Sequence, residues 1–440
     1  MMTRLIIIIS TLFFTAGPGS AQIIYDVERA IATGLENNYS IIVAKNRETI
    51  SDNNFTRGNA GYMPTLDFSS RYSGTINTTE QRLAAGGENV SKGIHNSAAT
   101  AGVSLGWSIF RGFSVQTTYK KLGELRDLGE LNTQLAVENL IARIVAEYNY
   151  HIQQRRLYSN LEFALSLSRE RMRIDEERYL IGAGSKLQYL QSKVYFNSDS
   201  SRLARQNEVL RASEIRLNEL MAVDDLGQTV IVADTMLVID GALTLDQLLA
   251  GTLELNTALE IARRNQVVTG FDYKIISSRS YPYLTLSSGY NTTLSMFETG
   301  TFSSQLTNGM NYGLTLGVNI FDGYNQQRDR KNALIEIENR DLQYLQVEQE
   351  LRSDLLIIYS GYINNLGLIM LEEQNLATAA ENLEIAFERY KLGNLSGLDL
   401  REVQKSLLDA EERLLSVQYQ TKSAEISLLQ ISGRIMEYMR

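Results

Sequence analysis

Apolar and polar residues alternate in two short runs near the start of this chain. In the first, Leu66, Phe68 and Tyr72 fall opposite Asp67, Ser69, Arg71 and Ser73; in the second, Val103, Leu105, Trp107 and Ile109 alternate with Gly102, Ser104, Gly106 and Ser108. A period of two predicts β-strands with one apolar face. The pattern returns downstream, where Leu284, Leu286 and Tyr290 oppose Thr285, Ser287 and Gly289. After a second polar loop, Tyr312, Leu314, Leu316, Val318 and Ile320 oppose Asn311, Gly313, Thr315, Gly317 and Asn319. The non-apolar face is mostly Ser, Thr, Gly and Asn, which suits lipid outside and water inside. Each run is about the ~9–11 residues a tilted strand needs to cross a bilayer. Four strands cannot close a barrel alone, and an open edge in hydrocarbon leaves backbone groups unpaired, so several chains are expected to share one barrel.

Between the strand pairs the period is helical. A helix is predicted from Tyr25 to about Arg57, capped by Asp26 and interrupted at Glu36-Asn37-Asn38. Pro64 then starts a strand, where its missing N–H costs little, and a polar loop is expected over Thr75 to Ala99. From Phe113 a proline-free helix runs to Leu180, at ~1.5 Å per residue about 100 Å long; Val137, Ile141, Ile144, Tyr148 and Ile152 mark one face. A second helix to Met221 carries Tyr189, Phe196, Leu203, Leu210 and Leu217 every seventh residue, a coiled-coil seam. A connector, 222 to 241, holds a β-like segment at 229 to 239, and Thr244 with Gln247 forms a candidate capping box for the next helix.

The arrangement then repeats. Asn38 and Asn256, like Pro64 and Pro282, stand 218 residues apart; Phe110 and Phe321, like Tyr179 and Tyr390, stand 211 apart. The shift of seven falls between the strands, where loop change is expected. At the same spacing the second seam is Leu400, Leu407, Leu414, Thr421 and Leu428. The expected organisation is a first repeat over 22–241, with a strand hairpin at 64–110 and a helical hairpin at 113–221. A second repeat covers 242–440, with hairpins at 282–321 and 323–434.

Composition narrows the function. The 440 residues carry a net charge of −9, no cysteine, two histidines and three prolines. No basic block is present to neutralise phosphates, so nucleic acid is not an expected partner; without cysteine there is neither a disulfide framework nor a thiolate metal site. Arg4, the apolar run Leu5–Phe14 and Gly19-Ser20-Ala21 describe a secretory signal peptide, 1–21. His95 and His151 lack a histidine partner at i+4, so no metal is expected. Gly182-Ala183-Gly184-Ser185-Lys186 lacks the full spacing and preceding strand of a phosphate loop. No cofactor or enzymatic site is expected.

The two helical hairpins turn at related sequences, Glu177-Arg178-Tyr179-x-x-Gly182-x-x-Ser185-x-x-Gln188 and Glu388-Arg389-Tyr390-x-x-Gly393-x-x-Ser396-x-x-Asp399. Glycine ends one helix and Ser-x-x-Gln or Ser-x-x-Asp begins the next; capping leaves Arg-Tyr unexplained. These turns, Leu35-Glu36-Asn37-Asn38, the strand-starting prolines and the duplicated element order resemble the TolC family of outer-membrane efflux proteins. The resemblance covers essentially the whole mature chain. It implies a membrane α+β fold: a homotrimer with a 12-stranded β-barrel, four strands per chain, continued by a long periplasmic α-helical barrel. It further implies a passive exit duct of a tripartite efflux pump or type I secretion system, spanning the Gram-negative outer membrane into the periplasm. Its partners would be outer-membrane lipid, a periplasmic adaptor (membrane fusion protein) and an inner-membrane RND or ABC pump. By position, Tyr390, Asp399 and Glu402 match gate or selectivity residues, with Gln188 where some members have an acid. Arg178, Tyr179, Gly182, Ser185, Arg389, Gly393 and Ser396 fall at the adaptor-docking turns. The alternative is a trimeric, membrane-anchored coiled coil with a structural or adhesive role.

Overall fold

A computed structural model of the chain describes residues 24–439. The signal-peptide segment lies outside the described residues. Strand β1 (Ile24–Tyr25) leads into α1 (Val27–Asn37), whose first turn is capped by Asp26 accepting from the Arg29 amide at 2.7 Å. The break at Asn38 has a physical cause: its side chain caps α2 (Tyr39–Asn54) and donates to the Leu220 carbonyl at 2.9 Å. Asn256 caps the helix that begins at Thr257 in the same way and donates to the Ile431 carbonyl at 2.8 Å. Each asparagine thus pins a helix start to the end of a helical hairpin.

The first strand pair, β2 (Thr65–Arg82) and β3 (Glu88–Arg111), is far longer than the alternation suggested. The loop expected over Thr75 to Ala99 is mostly strand, and the connection is only residues 83–87, with positive φ at Gly86 and Gly87. Where both faces of a hairpin are wet, no apolar stripe is required, and Ser, Thr and Asn continue the ladder without leaving a period to detect. The chain then enters α3 (Ser114–Leu180) and α4 (Lys186–Met221). The β-like connector contributes only β4 (Ile231–Val232), parallel to β1.

The same order follows with α5 (Leu245–Leu255), α6 (Thr257–Ser278), β5 (Tyr283–Met296), β6 (Ser304–Gly317), α7 (Asn325–Lys391) and α8 (Gly397–Ile431), closed by a 3₁₀ turn at Ile435–Met439. Thr244 occupies the N-cap of α5 but its side chain makes no capping hydrogen bond, so the box expected with Gln247 does not form. Val318 and Ile320 lie beyond the end of β6. Both strand-to-helix corners turn through a glycine followed by an aromatic in the left-handed region, Gly112-Phe113 and Gly323-Tyr324. Gly112 is required: a Cβ there would lie 2.3 Å from the Ser278 carbonyl oxygen.

The four long strands form one antiparallel sheet in the order β2-β3-β5-β6, leaving β2 and β6 as edges. Cross-strand rows alternate by face. Phe68, Val103, Tyr290 and Met310 form one row and Leu66, Leu105, Ser288 and Tyr312 another, while Asp67, Ser104, Gly289 and Asn311 lie on the opposite side. The apolar face is bare, with Leu66 70% and Leu316 74% exposed. A bulge at Ile109 ends the simple alternation and brings Phe110 opposite Leu284.

The helical core lies where the hairpins meet α1 and α5, around Ile141, Ile144, Tyr148, Ile152, Leu217, Leu248, Tyr362 and Leu428. The two seams differ. Leu400, Leu407, Leu414, Thr421 and Leu428 are all buried, because α8 packs against both α3 and α7; of the first seam only Leu217 is buried, because one flank of α4 is uncovered. Helix α7 likewise carries an apolar stretch long enough to span a bilayer, hardly any of it buried.

Candidate functional site at the two helical turns

Both turns are built locally. Gly182 (φ 76°) and Gly393 (φ 80°) adopt the left-handed conformation that reverses the chain, and the amides of Ala183 and Asn394 bond the carbonyls of Arg178 and Arg389, each at 2.8 Å. Ser185 and Gln188 form a reciprocal capping box at 3.2 and 3.0 Å. Ser396 accepts from the Asp399 amide at 3.1 Å, but its hydroxyl donates to the Asp399 carboxylate at 2.7 Å, so the box is not reciprocal.

The Arg-Tyr pairs, alike in sequence, have unlike surroundings. Arg178 reaches across to the second turn, donating to the carbonyls of Tyr390 at 2.7 Å and Lys391 at 3.2 Å while lying over the Tyr390 ring. Tyr390 is buried and donates its hydroxyl to Asp175. Burial, and then the hydrogen bond to Asp175, push the Tyr390 phenol above its ordinary pKa, so it remains a donor. Tyr179 is exposed and stacks on Tyr189, and Arg389 is exposed with no side-chain hydrogen bond among the described residues. One arginine and one tyrosine, drawn from different turns, therefore fasten the two hairpins.

A second polar cluster lies behind this contact. Asp199 on α4 receives both terminal nitrogens of Arg401 on α8, at 2.6 and 2.8 Å, together with the Ser168 hydroxyl. Gln404 donates to Ser168 and to the Ala164 carbonyl. The Tyr195 ring takes the Arg401 guanidinium at 5.1 Å and that of Arg171 at 4.9 Å. Sequence reasoning missed Asp175, Asp199, Arg171, Arg401 and Gln404. One signal was available: Ser192, Asp199, Gln206 and Ser213 make a polar heptad beside the apolar seam, and Asp199, Gln206 and Ser213 of this stripe hydrogen-bond to Ser168, Gln154 and His151 of α3.

A cavity of about 620 Å³ opens between the turns, lined by Arg171, Asp175, Arg178, Gln188, Tyr390 and Ser396 among others. Asp399 and Glu402 are exposed and lie outside that lining. The structure thus brings Gln188, Arg178, Tyr390, Gly393 and Ser396 together, and leaves Asp399 on the first turn of α8 and Glu402 on the second, both exposed at the side of the cavity.

Residues 248–434 match the family model described as outer membrane efflux protein. No curated protein matches the chain by sequence. Among solved structures, the outer membrane protein VceC of Vibrio cholerae is 16% identical with a TM-score of 0.74, over 92% of this chain and 96% of that one. The CmeC outer membrane channel of Campylobacter jejuni is 16% identical with a TM-score of 0.76, over 93% and 85%. The open-state MtrE outer membrane channel of Neisseria gonorrhoeae is 16% identical with a TM-score of 0.68, over 92% and 88%.

Proposed function

We propose, for a chain whose second half carries the outer membrane efflux protein family's pattern and whose fold is that of solved outer-membrane channels, that it is a passive exit duct of the outer membrane. Three copies share one 12-stranded barrel above a helical tunnel, in a Gram-negative tripartite efflux pump or type I secretion system. The observation that carries this reading is the sheet itself: an apolar outer face, a small polar inner face and two unpaired edges, set on the end of helices 67 residues long. In hydrocarbon the edges require strand neighbours. Exposed Phe113, Tyr281, Phe321 and Tyr324 at the foot of the sheet suit the aromatic girdle at the lipid boundary.

Internal duplication supports a second copy as the neighbour. The bare flank of α4 corresponds to the flank of α8 that meets α3, and the bare α7 corresponds to α3. A ring of copies places α7 of one against α4 of the next, repeating between chains the contact made within one. Cargo selection and energy then belong to an RND or ABC pump, reached through an adaptor at the turns. In this reading Tyr390 with Asp175 and Arg178 holds the mouth, Arg389 and Tyr179 face the docking partner, and Asp399 with Glu402 forms a threefold acidic ring.

Native mass measurement in mild detergent is expected to give three subunits, and planar bilayers a cation-favouring conductance. Asp399→Asn with Glu402→Gln is expected to lower cation selectivity with little change in trimer stability, since asparagine keeps the acceptor for Ser396. A trimer without conductance would instead favour the adhesive coiled coil.

A further inference from the structure

The guanidinium of Arg171 rests on the Tyr195 ring and makes no hydrogen bond among the described residues. The residue is 3% exposed, yet its Nε and one terminal nitrogen are buried without a hydrogen-bond partner, and it forms no ion pair among the described residues. Burying a cation without a counter-charge is strongly unfavourable. Arg171 also lines the cavity between the turns, and so do Gly397 and Leu398, the first two residues of α8. Their amides find no acceptor among the described residues, while the next two amides are taken by Ser396. A 35-residue helix therefore aims free N–H groups and the positive end of its dipole at the space that Arg171 borders. Gly397 keeps that space open: a Cβ there would rest 3.4 Å from a terminal nitrogen of Arg171.

The charges around the cavity favour an anion. Arg171 and Arg178 face a single carboxylate, Asp175, already engaged by the Tyr390 hydroxyl. Arg178 is engaged by two backbone carbonyls, which neutralise nothing. We propose that this cavity binds a small free oxyanion of the phosphate or sulfate class, held by the Arg171 guanidinium and the first-turn amides of α8. The ion would supply the missing counter-charge and tie α3 to the start of α8. The site needs only the folded chain and stands whether or not the protein conducts.

The test uses the purified full-length assembly. Phosphate and sulfate, each compared with chloride at matched ionic strength, are expected to raise its thermal midpoint saturably, and calorimetric titration with phosphate to show binding. Arg171→Gln is expected to abolish the rise while being at least as stable as wild type in chloride, because it removes an uncompensated buried charge. Gly397→Ala, which keeps the arginine and covers it, is expected to weaken phosphate binding by about tenfold or more, the scale of one lost charge-assisted hydrogen bond. A rise that persists in Arg171→Gln overturns the proposal. So does the absence of any rise with either ion, including the case in which only a partner protein's carboxylate stabilises the assembly.

Discussion

His151 shows how one buried side chain sets a pH limit on the helical hairpin. It is 1% exposed on α3, bonded to the Ser213 hydroxyl at 2.8 Å. Burial, and then nearby Arg155, push its pKa down from 6.5 to about 4. The native state therefore holds the ring neutral while the unfolded chain takes up a proton between those values. Its contribution is complete above about pH 6.5 and is lost as pH falls toward 4. The stability difference between wild type and His151→Gln is expected to shrink by about 3 kcal/mol on going from pH 7 to pH 4, read from unfolding midpoints. At this scale the sequence exposes what is local. Gly182, Ser185 and Gln188 meet within one turn, and their spacing declares them. Asp175 and Tyr390, or Asp199 and Arg401, are separated by some two hundred positions, and only the rotation of one long helix against another decides that they touch.

Among the elements, the Asp199–Arg401 pair ties the first hairpin to the second. Their side chains are 3% and 16% exposed, so removing one partner strands a charge in a poorly solvated place. Arg401→Met alone is expected to destabilise by about 3–5 kcal/mol, and Asp199→Leu added to it to restore most of that loss. Denaturant titration of the three variants checks the cycle; additive losses would mean that the pair is effectively solvated. The long helices were legible because a seam repeats over many turns, and the break before α2 because Asn38 is a strong cap. The reach of β2 and β3 was not, since a strand wetted on both sides has no apolar stripe to betray it. Thr244 shows the converse error: it fits a capping motif, yet its hydroxyl makes no cap bond in the fold.

At the scale of the whole molecule, the bare face of the sheet is a statement about the surrounding medium. Leu105→Arg or Leu316→Arg is expected to cost roughly 2–4 kcal/mol if near the bilayer midplane, whereas Ser104→Asn on the opposite face is expected to be tolerated. Heat-resistance of the assembled species on gels compares them directly, and equal assembly of all three would contradict the sidedness of the sheet. Edges and flanks that a single chain leaves uncovered call for neighbouring copies without fixing how many; the number three is what the family resemblance implies.

The unequal strand pairs carry one more consequence. With 18 and 24 residues, β2 and β3 rise about 60–80 Å along their own direction, against about 48 Å for the 14-residue β5 and β6. In the proposed threefold ring this unequal reach makes the rim alternate tall and low segments, like a battlement. The ends of β2 and β3, residues 76–82 and 88–96, continue the β2–β3 ladder past Met296 and Ser304, so the first strand pair stands as a two-stranded ribbon above the level at which the second one turns back.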